Sequence, residues 1–348
     1  MKRIMKSFWL IIVMLVACSS VYAAEEVADS AKVDEGFDML GLINGHISDS
    51  HSWSIFGYEN AQGEEEEIVL PLPVIAYYNG DILITSSSSF EEGAEYEHNG
   101  YVYRMVDDKL MVRGMSGELE KVLDLSITRN VVSMFMCIAI LLILFVGAAR
   151  SYKKSEVPRG RTSLVEMLVL FVKDISDEQI GKKRSYKYTP YLLTIFYFIW
   201  FNNLIGLVPF FPGSTNLSGN IAFTGTLAII TFIITNVSGS KHYWKHNFVV
   251  PGVPFVMKFI MVPIEIISIF TKPFTLMVRL FANVTGGHII ILSLISMIFI
   301  MQSYAMAVPS LLLTLFVFGL ELILGALQAY IFTVLSALYI GLATEDED

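Results

Sequence analysis

Cysteine is almost absent: Cys18 and Cys137 are the only two in 348 residues. If Cys18 leaves with an N-terminal leader, the remaining thiol can form neither an internal disulfide nor a thiolate metal cluster, which argues against redox chemistry. Charge is scarce as well, at 16% of residues, against about a quarter in ordinary soluble domains. Three chemical signatures are missing: a P-loop, a His-Glu-x-x-His zinc pattern and a Gly-x-Ser-x-Gly nucleophile elbow. The chain is therefore not expected to hydrolyse anything itself, and no cofactor, resident metal or nucleic-acid partner is expected.

What is abundant is apolar surface. Hydrophobic residues make up 54% of the chain and the mean hydropathy is +0.58, which points to a polytopic membrane protein whose main neighbour is the lipid bilayer. The net charge of -9 hides an asymmetry: residues 24–125 hold 22 acidic and 5 basic side chains, a net of -17, so the remainder is basic.

Residues 1–23, "MKRIMKSFWLIIVMLVACSSVYA", have a basic start, an apolar stretch and a small-x-small end. This is the pattern of a cleaved secretory signal. A lipoprotein signal with Cys18 at its cleavage site and an uncleaved first helix are the alternatives. Residues 24–125 alternate short apolar runs with Gly, Asn and Asp turns, which predicts a small β-rich, acidic extracytoplasmic domain. "GEEEE" and "SSSSFEEGAEYE" look like solvated loops within it. His46, Asp49 and His51 could ligate a metal if more ligands joined them; a polar turn near a buried Trp53 is the preferred reading.

From Ile127 onward, five runs are long enough to cross about 30 Å of hydrocarbon: 128–149, 189–211, 217–238, 273–301 and 307–342. The last two exceed the need and are expected to tilt. Residues 251–271, with Pro251, Pro254, Pro263, Lys258 and Glu265, read as a bent or interfacial lead-in to the fourth span. Residues 161–181 read as a helix on the membrane surface. The loop 150–188 carries ten Lys or Arg while 212–216 and 302–306 carry none, so the first is expected to be cytoplasmic. The fold expected for 126–348 is all-α and polytopic, with the N-terminal domain outside and the "ATEDED" end in the cytoplasm of a bacterial inner membrane.

Within these apolar runs lie Arg279, Asn283 and His288, with Glu265 before them and Glu321 and Gln328 on the last run. A charge at the bilayer centre costs roughly 2.5 to 3.5 kcal/mol on insertion scales, so Arg279 demands a function. His288 lies roughly 13 Å beyond Arg279 along a helix, and Gln328 roughly 10 Å from Glu321. If Gln328 is level with Arg279, then His288 and Glu321 share a depth on one side and Glu265 lies on the other. An imidazole or carboxyl passes protons; a guanidinium keeps its charge. Such an arrangement relays protons on each side and blocks a direct path. Glu265 near an interface could instead lock packing, and Gln328 and Asn283 alone would be ordinary interhelical hydrogen-bonding residues.

With "KPFTLMVRLFANVTGGHII", "LQAYIFTVLSALYI", "FNNLIGLVPF" and "STNLSGNIAF" together, the stretch from about 125 to 348 resembles subunit a of F-type ATP synthases. The resemblance implies two long tilted C-terminal helices against a rotor ring of c subunits, a b-subunit peripheral stalk as second partner, and a non-catalytic, proton-translocating stator role. It implies that Arg279 faces the rotor carboxylate, with Gln328 as its hydrogen-bonding companion and Asn283 as the motif asparagine. Glu265 looks like the inner half-channel acid, and His288 with Glu321 like the outer half-channel pair, exchanged in order relative to many bacterial members. In this family the choice between H⁺ and Na⁺ rests mainly on the c subunit. The leader and the acidic domain exceed the family's usual short N-terminal segment.

Overall fold

Two Asn-Gly pairs organise the front of the protein. In the computed structural model, Asn79 and Gly80 take φ of 47° and 91°, and Asn99 and Gly100 take 50° and 80°; consecutive positive φ angles match the twist of a two-residue hairpin. The model describes residues 48–59, 65–106, 109–114, 119–153, 160–208, 215–249, 255–301 and 304–345, with residues 39, 41, 45, 157 and 213 singly. The leader region, including Cys18, and His46 lie outside the described residues.

Among the described residues, nine strands lie between residues 52 and 124. β1 (Ser52–Glu59) pairs with β2 (Glu65–Pro71). β3 (Pro73–Tyr78) lies between β4 (Asp81–Ser86) and the short β9 (Leu123–Asp124). β5 (Tyr96–His98), β6 (Tyr101–Val106), β7 (Lys109–Arg113) and β8 (Leu119–Lys121) form a meander. The front is thus β-rich. Alternation puts Val74, Ala76, Leu83, Tyr103, Leu110 and Val112 into one core with Phe90. Phe90 comes from a 3₁₀ turn over Ser87–Gly93, so part of the expected serine-rich loop is ordered and contributes to the core.

Seven α-helices follow among the described residues: α1 (Arg129–Tyr152), α2 (Arg161–Ile180), α3 (Lys182–Gly206), α4 (Ile221–Val237), α5 (Lys241–Val249), α6 (Phe255–Met301) and α7 (Tyr304–Thr344). Among the described residues, α1, α6 and α7 are long and apolar enough to cross a membrane; α4 and α5, bent by 103° at their break, make a fourth if they count as one span. α3 falls short because Asn202, Asn203 and its basic start dilute it, and α4 because it has 17 residues. α2 buries Val165, Val172 and Ile175 against the bundle. The proline-containing lead-in is helical and continuous with the span: Pro263 and Pro273 both lie inside α6.

Segment 48–51 clamps the start of α1. Asp49 accepts from the Thr128 hydroxyl at 3.0 Å and the Asn130 N–H at 3.2 Å, while Arg129 donates to the Ser48 carbonyl at 2.7 Å. An acidic group at a helix N-terminus also opposes the helix dipole favourably. Trp53 is buried, and His51 Nε2 bonds Asp124 Oδ2 at 2.7 Å. Asp49 and His51 are thus both engaged with protein groups.

Burial pushes the Asp124 carboxyl up, but hydrogen bonds from His51 and Ser126 outweigh it and bring it from an ordinary 3.8 down to about 2. A depressed carboxylate stabilises the fold fully above the unfolded value and loses that contribution as pH falls toward the folded one. Asp124→Asn is therefore expected to destabilise the domain by about 1 to 2 kcal/mol at pH 7, allowing for solvent screening at this half-buried site. The gap to wild type should shrink between pH 4 and pH 2, measured by thermal melts; a gap independent of pH contradicts the assignment.

Candidate functional site

α6 and α7 form an antiparallel hairpin whose contacts run in one register. Near its tip, Ser310 on α7 donates to the Leu294 carbonyl of α6. Farther down, a Cβ on Gly287 would fall on the Glu321 carboxyl group. One turn further, Asn283 Nδ2 donates to Gln328 Oε1 at 2.9 Å. Three turns beyond that, the Lys272 ammonium lies 5.6 Å from the centre of the Tyr339 ring. Glycine at 287 is required here for close approach, because its missing side chain is the space the carboxyl uses.

Asn283, Gln328 and Glu321 meet in this seam, while Arg279, His288 and Glu265 lie on α6 in different surroundings. Gln328 and Glu321 are buried, at 2% and 6% exposure. Arg279, His288 and Glu265 are half-buried, and Asn283 reaches the protein surface. Arg279 precedes Asn283 by one turn of α6. Glu265, Lys272 and Arg279 recur every seven residues, which keeps them on one stripe of α6. Glu265 and Arg279 are not brought together: fourteen residues of helix separate them by about 21 Å.

A polar pocket surrounds the Glu321 end. Asn203 of α3 donates from Nδ2 to the Gly325 carbonyl at 3.2 Å and accepts at Oδ1 from Ser218 at 2.7 Å. Thr215 donates to Ser133 of α1 at 2.7 Å. A Cβ on Gly206 would come 2.7 Å from the Thr215 carbonyl oxygen and 3.8 Å from His288 Nε2. Four helices and the 215–219 turn therefore meet at the depth of His288 and Glu321. Asn202 Oδ1 and both amide atoms of Asn216 are buried there without a hydrogen-bond partner among the described residues. Buried amides of this kind are costly unless solvated, so they mark a place where water is needed.

Asn203, Thr215, Asn216 and Ser218 were not among the candidate site residues of the sequence, although their segments carry part of the resemblance. The available signal was polar side chains inside apolar runs, "FNN" and "STNLSGN". Lys272 was also missed, despite sitting at the heptad position between Glu265 and Arg279.

Chemically, the seam offers a carboxyl and an imidazole in a polar pocket on one side of a permanent cation, and a second carboxyl on the other. That is equipment for moving protons; among the described residues no group of three His, Cys, Asp or Glu is placed to hold a metal.

Comparison with known proteins agrees with this chemistry. The model of the ATP synthase A chain family matches residues 131–341, and a domain of unknown function matches 42–129. ATP synthase subunit a of Chloroherpeton thalassium is 46% identical over 232 residues, covering 65% of this chain and 68% of its own. ATP synthase subunit a 2 of Prosthecochloris aestuarii is 47% identical over 234 residues, covering 64% and 70%. For ATP synthase subunit a of an Anaeromyxobacter species the identity is 44% over 227 residues, covering 63% and 54%. The apolar helices, an arginine within one of them, the Asn283–Gln328 bond one turn away and the match over 131–341 lead to one conclusion: this chain belongs to the ATP synthase A chain family, that of subunit a of F-type ATP synthases.

Proposed function

We propose that the chain is the stator subunit of an ATP synthase membrane sector, supplying two half-channels that carry H⁺ to and from carboxylates on a c-subunit ring. The observation that carries this reading is the α6–α7 seam, where Arg279 stands between the Glu321–His288 pocket and Glu265. Its partners are the c-ring, a b-subunit stalk and lipid. In this reading its role is ion conduction, and nucleotide chemistry belongs to other subunits.

In this reading residues 1–23 are a removed signal, 24–125 an acidic periplasmic domain and 126–348 the membrane domain. The five spans are α1, α3, α4, α6 and α7, and α5 with Lys241 and Lys245 lies on the cytoplasmic side. α3 crosses despite its asparagines because both are buried, Asn203 bonding Gly325 and Ser218 and Asn202 the Phe198 carbonyl of its own helix. The basic loop before α3 and the C-terminus are cytoplasmic.

A proton enters past His288 and Glu321 and neutralises a ring carboxylate, which then enters lipid without the large cost of a bare charge. After nearly a full turn it reaches the inner side, releases its proton toward Glu265 and is held as an anion beside Arg279. Gln328 and Asn283, bonded to each other, position the helices on which the arginine acts. Net transfer then requires rotation, and each proton supplies about 2.3 kcal/mol per 100 mV. The experiment is ATP-driven proton pumping in inverted vesicles with Arg279→Ala. Lost pumping with a ring that still copurifies supports the reading; unchanged pumping points to a transporter that works without a rotor.

A further inference from the structure

The β-rich domain distributes its charge unevenly between two sheet faces. Its core takes Val74, Ala76 and Leu83 from β3 and β4, and Tyr103, Leu110 and Val112 from β6 and β7. Side chains alternate along a strand, so the positions between these point away from the core. On the meander they include Arg104, Lys109 and Arg113, all exposed, as suits a face in water. On the other sheet they are Ile75 and Tyr77 of β3, Ile82 and Ile84 of β4, Leu123 of β9 and Leu125 just after it. Register sets Ile84 beside Ile75, and Tyr77 between Ile82 and Leu123. The Leu125 N–H bonds the Ile75 carbonyl at 2.8 Å, which completes the second row. Two rows thus cross three strands, a width of about 10 Å. None of the six is charged, in a segment that holds 22 acidic and 5 basic side chains. Ile84 is 71% exposed and Leu123 58%. Single exposed apolar residues are ordinary; a contiguous patch without charge marks a contact surface.

What covers the face follows from where the sheet leads. Strand pairing continues past β9: the Ile127 N–H bonds the Pro73 carbonyl at 3.1 Å, and only Thr128 separates Ile127 from α1, which is long and apolar enough to cross a membrane. The joint is held on both sides, because Asp49 and Ser48 bond Thr128, Arg129 and Asn130. Leu125 therefore lies within about 15 Å of Val131, the first apolar residue of α1. The face is continuous with a membrane-crossing helix, whereas the basic face lies across the core from it. An uncharged face whose backbone hydrogen bonds lie in the plane of the sheet enters the headgroup layer without desolvating an ion or a peptide group. Tyr77 supplies the amphipathic ring favoured at that depth.

We propose that the outer face of the β3, β4 and β9 sheet lies on the bilayer beside the N-terminus of α1, with its apolar side chains among the headgroups and upper acyl chains. The occupant is lipid of the leaflet in which α1 begins. The basic outer face of the meander is then turned away from the membrane, and the domain is fixed over the bilayer by two attachments, the lipid-facing sheet and the clamp on α1. The inference requires that α1 crosses the membrane and is independent of the half-channel reading.

The test uses the intact complex in phosphatidylcholine nanodiscs, open to solvent on both sides, with a bimane fluorophore on Ile84→Cys or on Arg104→Cys. Both side chains point away from the core, so the labels leave the fold in place, which thermal melts check. The Ile84→Cys label is expected to lose about half its fluorescence to a nitroxide at the lipid headgroup and little to iodide in solution, and the Arg104→Cys label to do the reverse. Adding Ile82→Lys, a charge on the same face, is expected to lower the lipid quenching of the Ile84→Cys label about twofold and to raise its iodide quenching. Three results overturn the proposal. An Ile84→Cys label open to iodide and untouched by the nitroxide leaves the face in water; shielding from both quenchers means that protein covers it; lipid quenching at Arg104→Cys alone puts the basic face on the membrane.

Discussion

Arg279→Ala is expected to reduce ATP-driven proton pumping about a thousandfold, to background, while the membrane sector still assembles. The guanidinium stays charged at every working pH and cannot itself pass on a proton. A ring carboxylate about 4 Å from it, at an effective dielectric constant near 20, gains about 4 kcal/mol. Losing that attraction in the step that releases the proton corresponds to about a factor of a thousand in rate. Lysine is expected to restore only part of it, because a point ammonium lacks the planar fork that holds a carboxylate in two bonds. Assembly should survive, since the packing beside Arg279 rests on Leu276, Leu280 and Val284, all buried in the helical core.

Gly287→Val is expected to lower proton flux by more than tenfold without adding or removing an ionisable group. The first side-chain atom at 287 would fall on the Glu321 carboxyl, so the carboxyl must leave the place it holds beside α6. Overpacking of this kind costs about 1 to 3 kcal/mol, and the displaced acid no longer shares its depth with His288. Gly287→Ala combined with Glu321→Asp, which shortens the acid by one methylene, should recover part of the flux that Gly287→Ala loses. Pumping measured on assembled complexes checks both; wild-type flux in Gly287→Val would mean that the Glu321 position is not on the proton path.

The sequence made some of this geometry readable and hid the rest for definable reasons. The long apolar runs and the Asn-Gly turns act locally, so the β-rich front and the helices α1, α6 and α7 could be read residue by residue. Arg279, Glu321 and Gln328 stood out because charge and amide are expensive in hydrocarbon. The Asn203–Gly325 bond links residues 122 apart, and Thr215 reaches Ser133 across 82, so the polar pocket exists only after folding. Proline at 251, 254 and 263 suggested a bent lead-in, yet α6 continues through the proline at 263. Helices between neighbours in a membrane tolerate it when hydroxyls serve nearby carbonyls, as Thr271 and Thr275 do at Ile267 and Thr271. The sharp turn between α4 and α5 follows Ser238, Gly239 and Ser240, where Ser240 bonds the Ala343 carbonyl at 2.7 Å. Nothing in the local sequence announced that α7 contact.

The central claim is that the α6–α7 seam is the surface at which protons pass between this chain and a rotor. Its most direct test is disulfide cross-linking in native membranes between a cysteine next to the c-subunit carboxylate and one placed on this chain. Ala282, exposed on α6 one turn from Val278 and beside Asn283, is the position to use, with Ile233 on α4, 51% exposed, as the comparison. A disulfide requires Cα atoms within about 7 Å. The account predicts that Ala282→Cys cross-links to the ring and that Ile233→Cys does not; a ring that cross-links to Ile233→Cys and leaves Ala282→Cys free would contradict it.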